Sequence, residues 1–258
     1  MKSIRKLCMS AALSGALLCT SAAWATLPVA DPLNSPMWEY MAQQYFADES
    51  VAFSDDVSVI SAGHAEDSMN VPIMIDASKL DGEIQEILVF ADLNPITTVL
   101  RFYPNSMEPK IGFRVKLQQG TPIRAAVKTT DGRWHVGGTW VDAAGGGCTA
   151  PSIGSSNVDW ASRLGETSGR FFANHIDEGR MRFRIMHPMD TGLADGIPAF
   201  YIDQIKVADA SGKEVGVITP FEPVAENPVF TVNSPGDGPL TLSGRDNNGN
   251  RFKAEIAR

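Results

Sequence analysis

The sequence predicts an all-β protein with two immunoglobulin-like β-sandwich domains, joined by a glycine-rich linker and preceded by one short helix. Short stretches in which apolar residues alternate with polar ones are typical of strands with one buried face. The 258 residues include 23 glycines and 16 prolines, which favours many short strands and turns over long helices. About seven such stretches occupy residues 170–258, and residues 49–142 have a similar rhythm, as expected for two sandwiches.

Residues 1–25 have the pattern of a cleaved export signal. A basic start precedes an apolar run over residues 7–18, and Ala23 and Ala25 fit the small-residue cleavage rule. The alternative is an N-terminal membrane anchor, which normally needs a longer apolar run. Cleavage after Ala25 predicts a periplasmic protein that begins at Thr26 and has no membrane span.

The same cleavage would change the charge and the number of thiols. The full chain has 22 basic and 30 acidic residues, a formal charge of −8, and the signal contains three of the basic residues, so the mature charge is −11. An acidic balance argues against nucleic-acid binding, which needs a basic surface. Cys8 and Cys19 would leave with the signal, so Cys148 would be the single mature thiol.

The segment that follows the signal, residues 26–48, contains one stretch with helical spacing. Its apolar residues predict a short helix over residues 36–46, with Asn34 or Ser35 as a possible cap. We expect this helix to pack as a lid on the first sandwich.

The first sandwich, residues 49–142, shows its clearest alternation over residues 111–118. This pattern predicts a half-buried strand whose polar face carries Arg114 and Lys116. Asp131-Gly132 lies between two later strand-like stretches and is a strong hairpin signal.

The stretch assigned as carrier arm and linker, residues 143–169, contains Gly145, Gly146, Gly147 and Cys148 near its start. Three glycines permit almost any backbone angle, so the sequence predicts a thiol on a flexible tether that is not packed in a core. Lys and Arg are absent from residues 142–160, which predicts an ordinary thiol pKa. The alternative is a plain interdomain linker that contains a cysteine. A buried, inert cysteine is the usual case across proteins, but the glycine-rich setting argues against it here.

In the second sandwich, residues 170–258, the alternation is most regular where Arg180, Arg182 and Arg184 separate apolar residues. Asn248-Gly249 is a further hairpin signal.

The histidines do not indicate a metal site. His64, His135, His175 and His187 lack the spacing of metal ligands. His187, near two methionines, would suit soft copper binding, and the alternative is that it caps and packs the end of a strand. Phosphate-binding loops, nucleophile elbows and paired catalytic carboxylates are not evident. We therefore predict no metal, no cofactor and no enzymatic activity.

Both segments resemble components of the sulfur-oxidation carrier complex. The second segment resembles SoxZ, and the stretches that carry this resemblance are residues 184–192, 197–202 and 226–229. The first segment resembles SoxY, and its matching stretches are residues 70–73, 93–95, 130–134 and 145–148. The order is similar to that of fused SoxYZ-like carriers associated with quinoprotein dehydrogenases.

The resemblance implies a role for Cys148. In that family two immunoglobulin-like domains associate, and a cysteine within Gly-Gly-Cys-Gly-Gly on the carboxyl-terminal arm of SoxY carries sulfur intermediates covalently. Cys148 is the matching position, and Gly145, Gly146 and Gly147 match a flexible arm. Thr149 and Ala150 replace the two following glycines, and the arm continues into the second domain.

The expectation is therefore a periplasmic, non-enzymatic carrier in sulfur metabolism, such as thiosulfate oxidation, with a sulfur intermediate on Cys148. The resemblance implies soluble periplasmic redox enzymes as partners, of the Sox type or of a quinoprotein dehydrogenase system. The alternative is an accessory or binding protein for such a dehydrogenase, in which Cys148 is not used as a carrier.

Overall fold

The computed structural model describes residues 30–47, 49–152, 160–172, 179–236 and 238–258. The predicted export signal and its cleavage position lie outside these ranges. In the ranges described, none of the helical structure is both long and apolar enough to span a bilayer.

The described chain is built almost entirely of strands, which confirms the all-β prediction. The first segment contains β1 (Val51–Phe53), β2 (Ser58–Ile60), β3 (His64–Ala65), β4 (Val71–Asp76), β5 (Ile84–Ala91), β6 (Thr98–Tyr103), β7 (Lys110–Val115), β8 (Thr121–Thr129) and β9 (Trp134–Ala143). The second contains β10 (Thr167–Phe172), β11 (Arg180–Ile185), β12 (Ile202–Ala208), β13 (Glu214–Pro220), β14 (Val229–Asn233), β15 (Leu240–Asp246) and β16 (Arg251–Ile256). A short 3₁₀ helix, Ala161–Arg163, precedes β10.

The strands form two sheets, consistent with immunoglobulin-like sandwiches. One sheet has the order β1-β9-β8-β5-β6-β13-β12-β15-β16, with β3 also paired to β9. The other has the order β10-β11-β14-β7-β4-β2. Each sheet therefore continues from the first segment into the second.

The segments meet through two antiparallel strand pairs. β6 pairs with β13, so that Leu100 lies opposite Pro220, and β7 pairs with β14, so that Ile111 lies opposite Val232. Buried residues from both segments, among them Phe102 in β6, belong to one continuous apolar core. The two sandwiches are thus held together by backbone hydrogen bonds and by shared hydrophobic burial.

This shared core predicts that the connecting chain is dispensable for association. If a protease site is placed between Ser152 and Trp160 and cut, we expect the two fragments to elute together in size-exclusion chromatography. The uncut protein serves as the control. Separation of the fragments under native conditions would contradict a shared core.

The helix α1 spans Trp38–Phe46 and packs on the outer side of the long sheet, as the lid prediction expects. Its buried face contacts β5, β8 and β9 through a second apolar cluster; the members of this cluster are Trp38, Met41, Ala42, Phe46, Leu88, Phe90, Ala126, Trp134 and Val136. The N-cap of the helix is Met37, without a side-chain cap hydrogen bond, so the prediction of Asn34 or Ser35 as cap is wrong. The Ser35 hydroxyl accepts a hydrogen bond from the Met37 amide at 3.3 Å, just before the helix begins.

A buried ion-pair network fixes the chain before the helix. The Arg124 guanidinium donates to the carboxylates of Asp31 and Asp92 and lies 4.6 Å from the Trp38 ring centroid. Burial alone would raise the pKa of Asp31, but the hydrogen bonds from Arg124 hold it below its ordinary value. Burial prevails at Asp92, whose pKa is raised.

Candidate functional site

Cys148 lies in the segment that follows β9, and its side chain is fully buried, with 0% exposure. The prediction that this thiol could not be a packed residue is therefore wrong. The physical reason is that glycines permit close backbone approach as well as flexibility, and the approach is realised here.

Gly147 shows this close approach directly. A Cβ at this position would lie 2.2 Å from the carbonyl oxygen of Ser68 and 2.7 Å from that of Leu117. The Gly147 amide donates to the Leu117 carbonyl at 3.0 Å. Residues 145–148, which we call the docked segment, thus pack directly against the first sandwich. Only glycine fits position 147 in this arrangement.

The two preceding glycines complete the docked turn. Gly145 and Gly146 adopt φ values of 104° and 84°, a region that favours glycine. Their amides donate to the Ser68 hydroxyl at 3.1 Å and to the Gln118 carbonyl at 3.2 Å. The structure thus shows Gly145, Gly146 and Gly147 held by the first segment, and their role as a flexible arm stays a prediction.

Both segments of the chain hold Cys148. Its thiol donates to the Lys116 carbonyl at 3.4 Å, at the end of β7. Its own carbonyl accepts a hydrogen bond from the Thr191 hydroxyl at 2.6 Å, from the second segment. The thiol therefore lies at the junction of the two sandwiches.

Lys116 is the charged group of this site, and its side chain is 1% exposed. The sequence placed it on a solvent-facing side, which is wrong because the second segment covers this end of β7. The Lys116 amide donates to the Pro223 carbonyl at 2.7 Å, and Val115 bridges to Val224. The Lys116 ammonium donates to the Met189 carbonyl.

The electrostatics oppose ionisation of the thiol. Burial raises the pKa of Cys148 to about 11, and the nearby Lys116 charge only partly offsets this. Burial also lowers the pKa of Lys116 to about 8, against the attraction of Asp190 and Cys148. At neutral pH the docked thiol is protonated and Lys116 is largely charged. The prediction of an ordinary thiol pKa is therefore wrong for the docked segment.

This pKa predicts an unusual pH profile for thiol alkylation. We expect the rate in the folded protein to rise steadily from pH 7 to pH 10, because the thiolate fraction keeps increasing below a pKa of about 11. In urea-unfolded protein, the control, the rate should level near the ordinary cysteine pKa of about 8.5. A folded-state plateau near pH 8.5 would contradict burial of the thiol.

The chain beyond Cys148 is anchored to the second segment. The Asp190 carboxylate accepts hydrogen bonds from the Ser152 amide at 3.0 Å and from its hydroxyl at 3.2 Å. All three of these polar groups are buried. The docked segment is thus fixed on both sides of the thiol.

His187 lies just after the end of β11 and packs against Phe200. This agrees with the alternative that it packs a strand end. Its Nδ1 accepts a hydrogen bond from the Met189 amide at 3.1 Å, and its ring centroid lies 4.4 Å from that of Phe200. Burial lowers the pKa of His187 to about 4, against the attraction of Asp246. Among the residues with described positions, His, Cys, Asp and Glu side chains form no group of three that could hold a metal.

The sequence pattern did not indicate that Lys116, Asp190 and Thr191 belong to the site around Cys148. Alternation along β7 put Lys116 outside, and nothing local indicates that another segment covers it. Asp190 and Thr191 had a usable signal, since both fall within the stretch 184–192 that carries the resemblance to SoxZ.

Comparisons with known proteins divide the chain at this site. The family "Sulfur oxidation protein SoxY" matches residues 42–148, so its match ends at Cys148, and "Sulphur oxidation protein SoxZ" matches residues 174–257. The solved structure of the sulfur carrier protein SoxY from Chlorobium limicola f thiosulfatophilum is 18% identical, with a TM-score of 0.37; the match covers 42% of this chain and 96% of that one. A biofilm associated protein BSP domain is 14% identical, with a TM-score of 0.27; that match covers 80% of this chain and 30% of the other. No curated protein sequence matches.

Proposed function

We propose that Cys148 is the attachment point for a sulfur intermediate, because this chain joins a SoxY family segment to a SoxZ family segment and is thus a fused SoxYZ-like protein of sulfur oxidation. In this proposal the protein works in the periplasm, is not itself an enzyme, and holds a sulfur intermediate covalently while partner enzymes act on it.

The position of Cys148 is the observation that carries the proposal. The thiol is the last residue of the SoxY match, and the SoxZ-like segment binds its backbone through Thr191. Gly147 is required for this docking, because a Cβ there would meet the backbone carbonyl oxygens of Ser68 and Leu117. The backbone around Cys148 is thus held by both segments of the chain.

Loading requires that the thiol leave its docked position or that a partner open the junction. Its side chain is fully buried, so no active site can contact it as it stands. Release also removes the burial that raises its pKa, and an exposed cysteine forms thiolate more readily at neutral pH. The docked state then protects the thiol, and the released state reacts.

The covalent step has a simple balance. The Cys148 thiol and a sulfane or thiol sulfur of the cargo form a sulfur–sulfur bond, releasing two electrons and the protons that the two groups carried. A redox enzyme of the Sox system accepts the electrons, since the SoxY and SoxZ segments imply partners of that system. A thiol of a second partner then attacks the cargo sulfur by exchange, so that the cargo passes to that thiol and the Cys148 sulfur leaves as a thiolate, which takes up a proton.

Lys116 suits this role on electrostatic grounds. It is the buried cation whose charge acts on Cys148, and at neutral pH it is largely protonated. An anionic sulfur group attached to Cys148 would be attracted by this charge.

Intact mass spectrometry of protein purified from the native periplasm tests the proposal. During active sulfur oxidation we expect a sulfur-bearing adduct that reductant removes, on a mature chain that begins at Thr26. A thiol that stays bare throughout would favour the accessory protein of a quinoprotein dehydrogenase instead. An uncleaved amino terminus would contradict cleavage after Ala25.

A further inference from the structure

The outer face of the shorter sheet carries a group of arginines, which we call the arginine face: Arg114, Arg170, Arg180, Arg182 and Arg184. Three of them alternate along β11, where the residues between them are buried. Arg170, Arg182 and Arg184 are exposed. This is a concentrated positive surface on a chain of net charge −8.

Strand register places all five side chains on one side. Arg170 of β10 lies directly opposite Arg182 of β11, which lies opposite Thr231 of β14. Thr231 in turn lies opposite Gly112 of β7, two residues before Arg114. Because side chains at every second position share a face, Arg114 points to the same side as Arg182.

The arrangement costs stability, so it calls for a function. Like charges directly opposite each other on neighbouring strands are destabilising, and Arg170 and Arg182 are such a pair. Within the described ranges, neither of them nor Arg114 or Arg184 has an ion pair with a carboxylate, whereas Arg101, Arg124 and Arg245 have one. The Arg170 guanidinium instead lies 4.7 Å from the Phe172 ring centroid.

Arg114 and Arg182 both line a groove of about 360 Å³. Gly112, Thr231 and Met74 also line it. The positive face is therefore not flat, and it can receive a protruding loop or strand.

The arginine face borders the candidate site. β7 and β11 both pair antiparallel with β14, so they run in the same direction and end at the same edge of the sheet. The residue after β7 is Lys116, whose carbonyl binds the thiol, and β11 leads into the loop that contains Thr191. A partner seated on this face would lie beside the segment that holds Cys148.

We propose that the arginine face docks an acidic surface of the partner protein that loads or unloads Cys148, an inference that rests on the proposed function. The face spans about 13 Å along β11 at about 3.3 Å per residue, and about 14 Å across four strands. That extent suits a protein contact and exceeds a single small anion. The acidic remainder of the chain repels an acidic partner, so this face would orient the encounter.

Photo-crosslinking in the native host tests the docking. A benzoylphenylalanine at Ser168, exposed and directly opposite Arg184, should crosslink to a protein segment rich in Asp and Glu. The double variant Arg182→Glu, Arg184→Glu should lower the yield at least tenfold. The control variant Arg251→Glu, Lys253→Glu reverses two exposed charges on β16 of the other sheet and should leave the yield unchanged.

Other results would overturn the inference. Crosslinks to lipid, to nucleic acid, to a second copy of this chain or to an uncharged segment would do so, as would no crosslink or an unchanged yield in Arg182→Glu, Arg184→Glu. The Cys148 adduct, measured in the same cells, separates the two proposals. An adduct without acidic crosslinks overturns only the docking surface, while acidic crosslinks to a protein whose Cys148 stays bare overturn only the carrier.

Discussion

Cys148→Ser is expected to abolish covalent loading completely while the protein stays folded. A hydroxyl cannot form the sulfur–sulfur bond that the cargo requires, but it can donate to the Lys116 carbonyl as the thiol does. We expect destabilisation of about 1 kcal/mol, typical of single substitutions, since the site is buried. Adduct mass and melting temperature, measured side by side, check both parts.

Thr149→Ser is the matched control, because it changes the neighbouring, exposed side chain and keeps its hydroxyl. It should load normally. A Cys148→Ser protein that still acquires a sulfur adduct would rule out Cys148 as the attachment point, and one that fails to fold would assign the thiol a structural role.

Gly147→Ala is expected to release the thiol. The added Cβ would meet two backbone carbonyl oxygens, of Ser68 and Leu117, at 2.2 and 2.7 Å, and backbone cannot move aside as a flexible side chain can. The docked state is destabilised while the released state is not, so the population shifts toward release. We expect alkylation of Cys148 at pH 7 to accelerate at least tenfold.

Gly63→Ala is the control for this substitution, since a Cβ at Gly63 meets nothing within 4 Å and its φ is not in the left-handed region. Its alkylation rate should equal that of the unchanged protein. Equal rates in Gly147→Ala would mean that docking of this segment does not limit access to the thiol.

Local pattern was sufficient for much of the fold. Alternation around Phe183 predicted β11 with the correct buried face, and helical spacing predicted α1, which begins at Trp38 and not at residue 36. The strand β10 begins at Thr167, within the stretch assigned to the linker, because a sequence of mixed polar and small residues gives no clear alternation.

The candidate site was predictable only in part, because it depends on contacts between distant segments. The glycines before Cys148 carry the same signal whether they serve flexibility or close approach, and only the position of Ser68 decides that Gly147 is docked. Lys116 follows the polar face of an isolated sandwich, and the parts of the second segment around Pro223 and Met189 cover it.

If Cys148 carries sulfur in transit, a pulse and chase with radiolabelled thiosulfate in the native host should show the sulfur arriving and leaving. We expect label to appear on the peptide containing Cys148 within the pulse, to be released by reductant, and to disappear during the chase. A Cys148 peptide that never acquires label, or that retains it unchanged through the chase, would show that Cys148 is not a carrier.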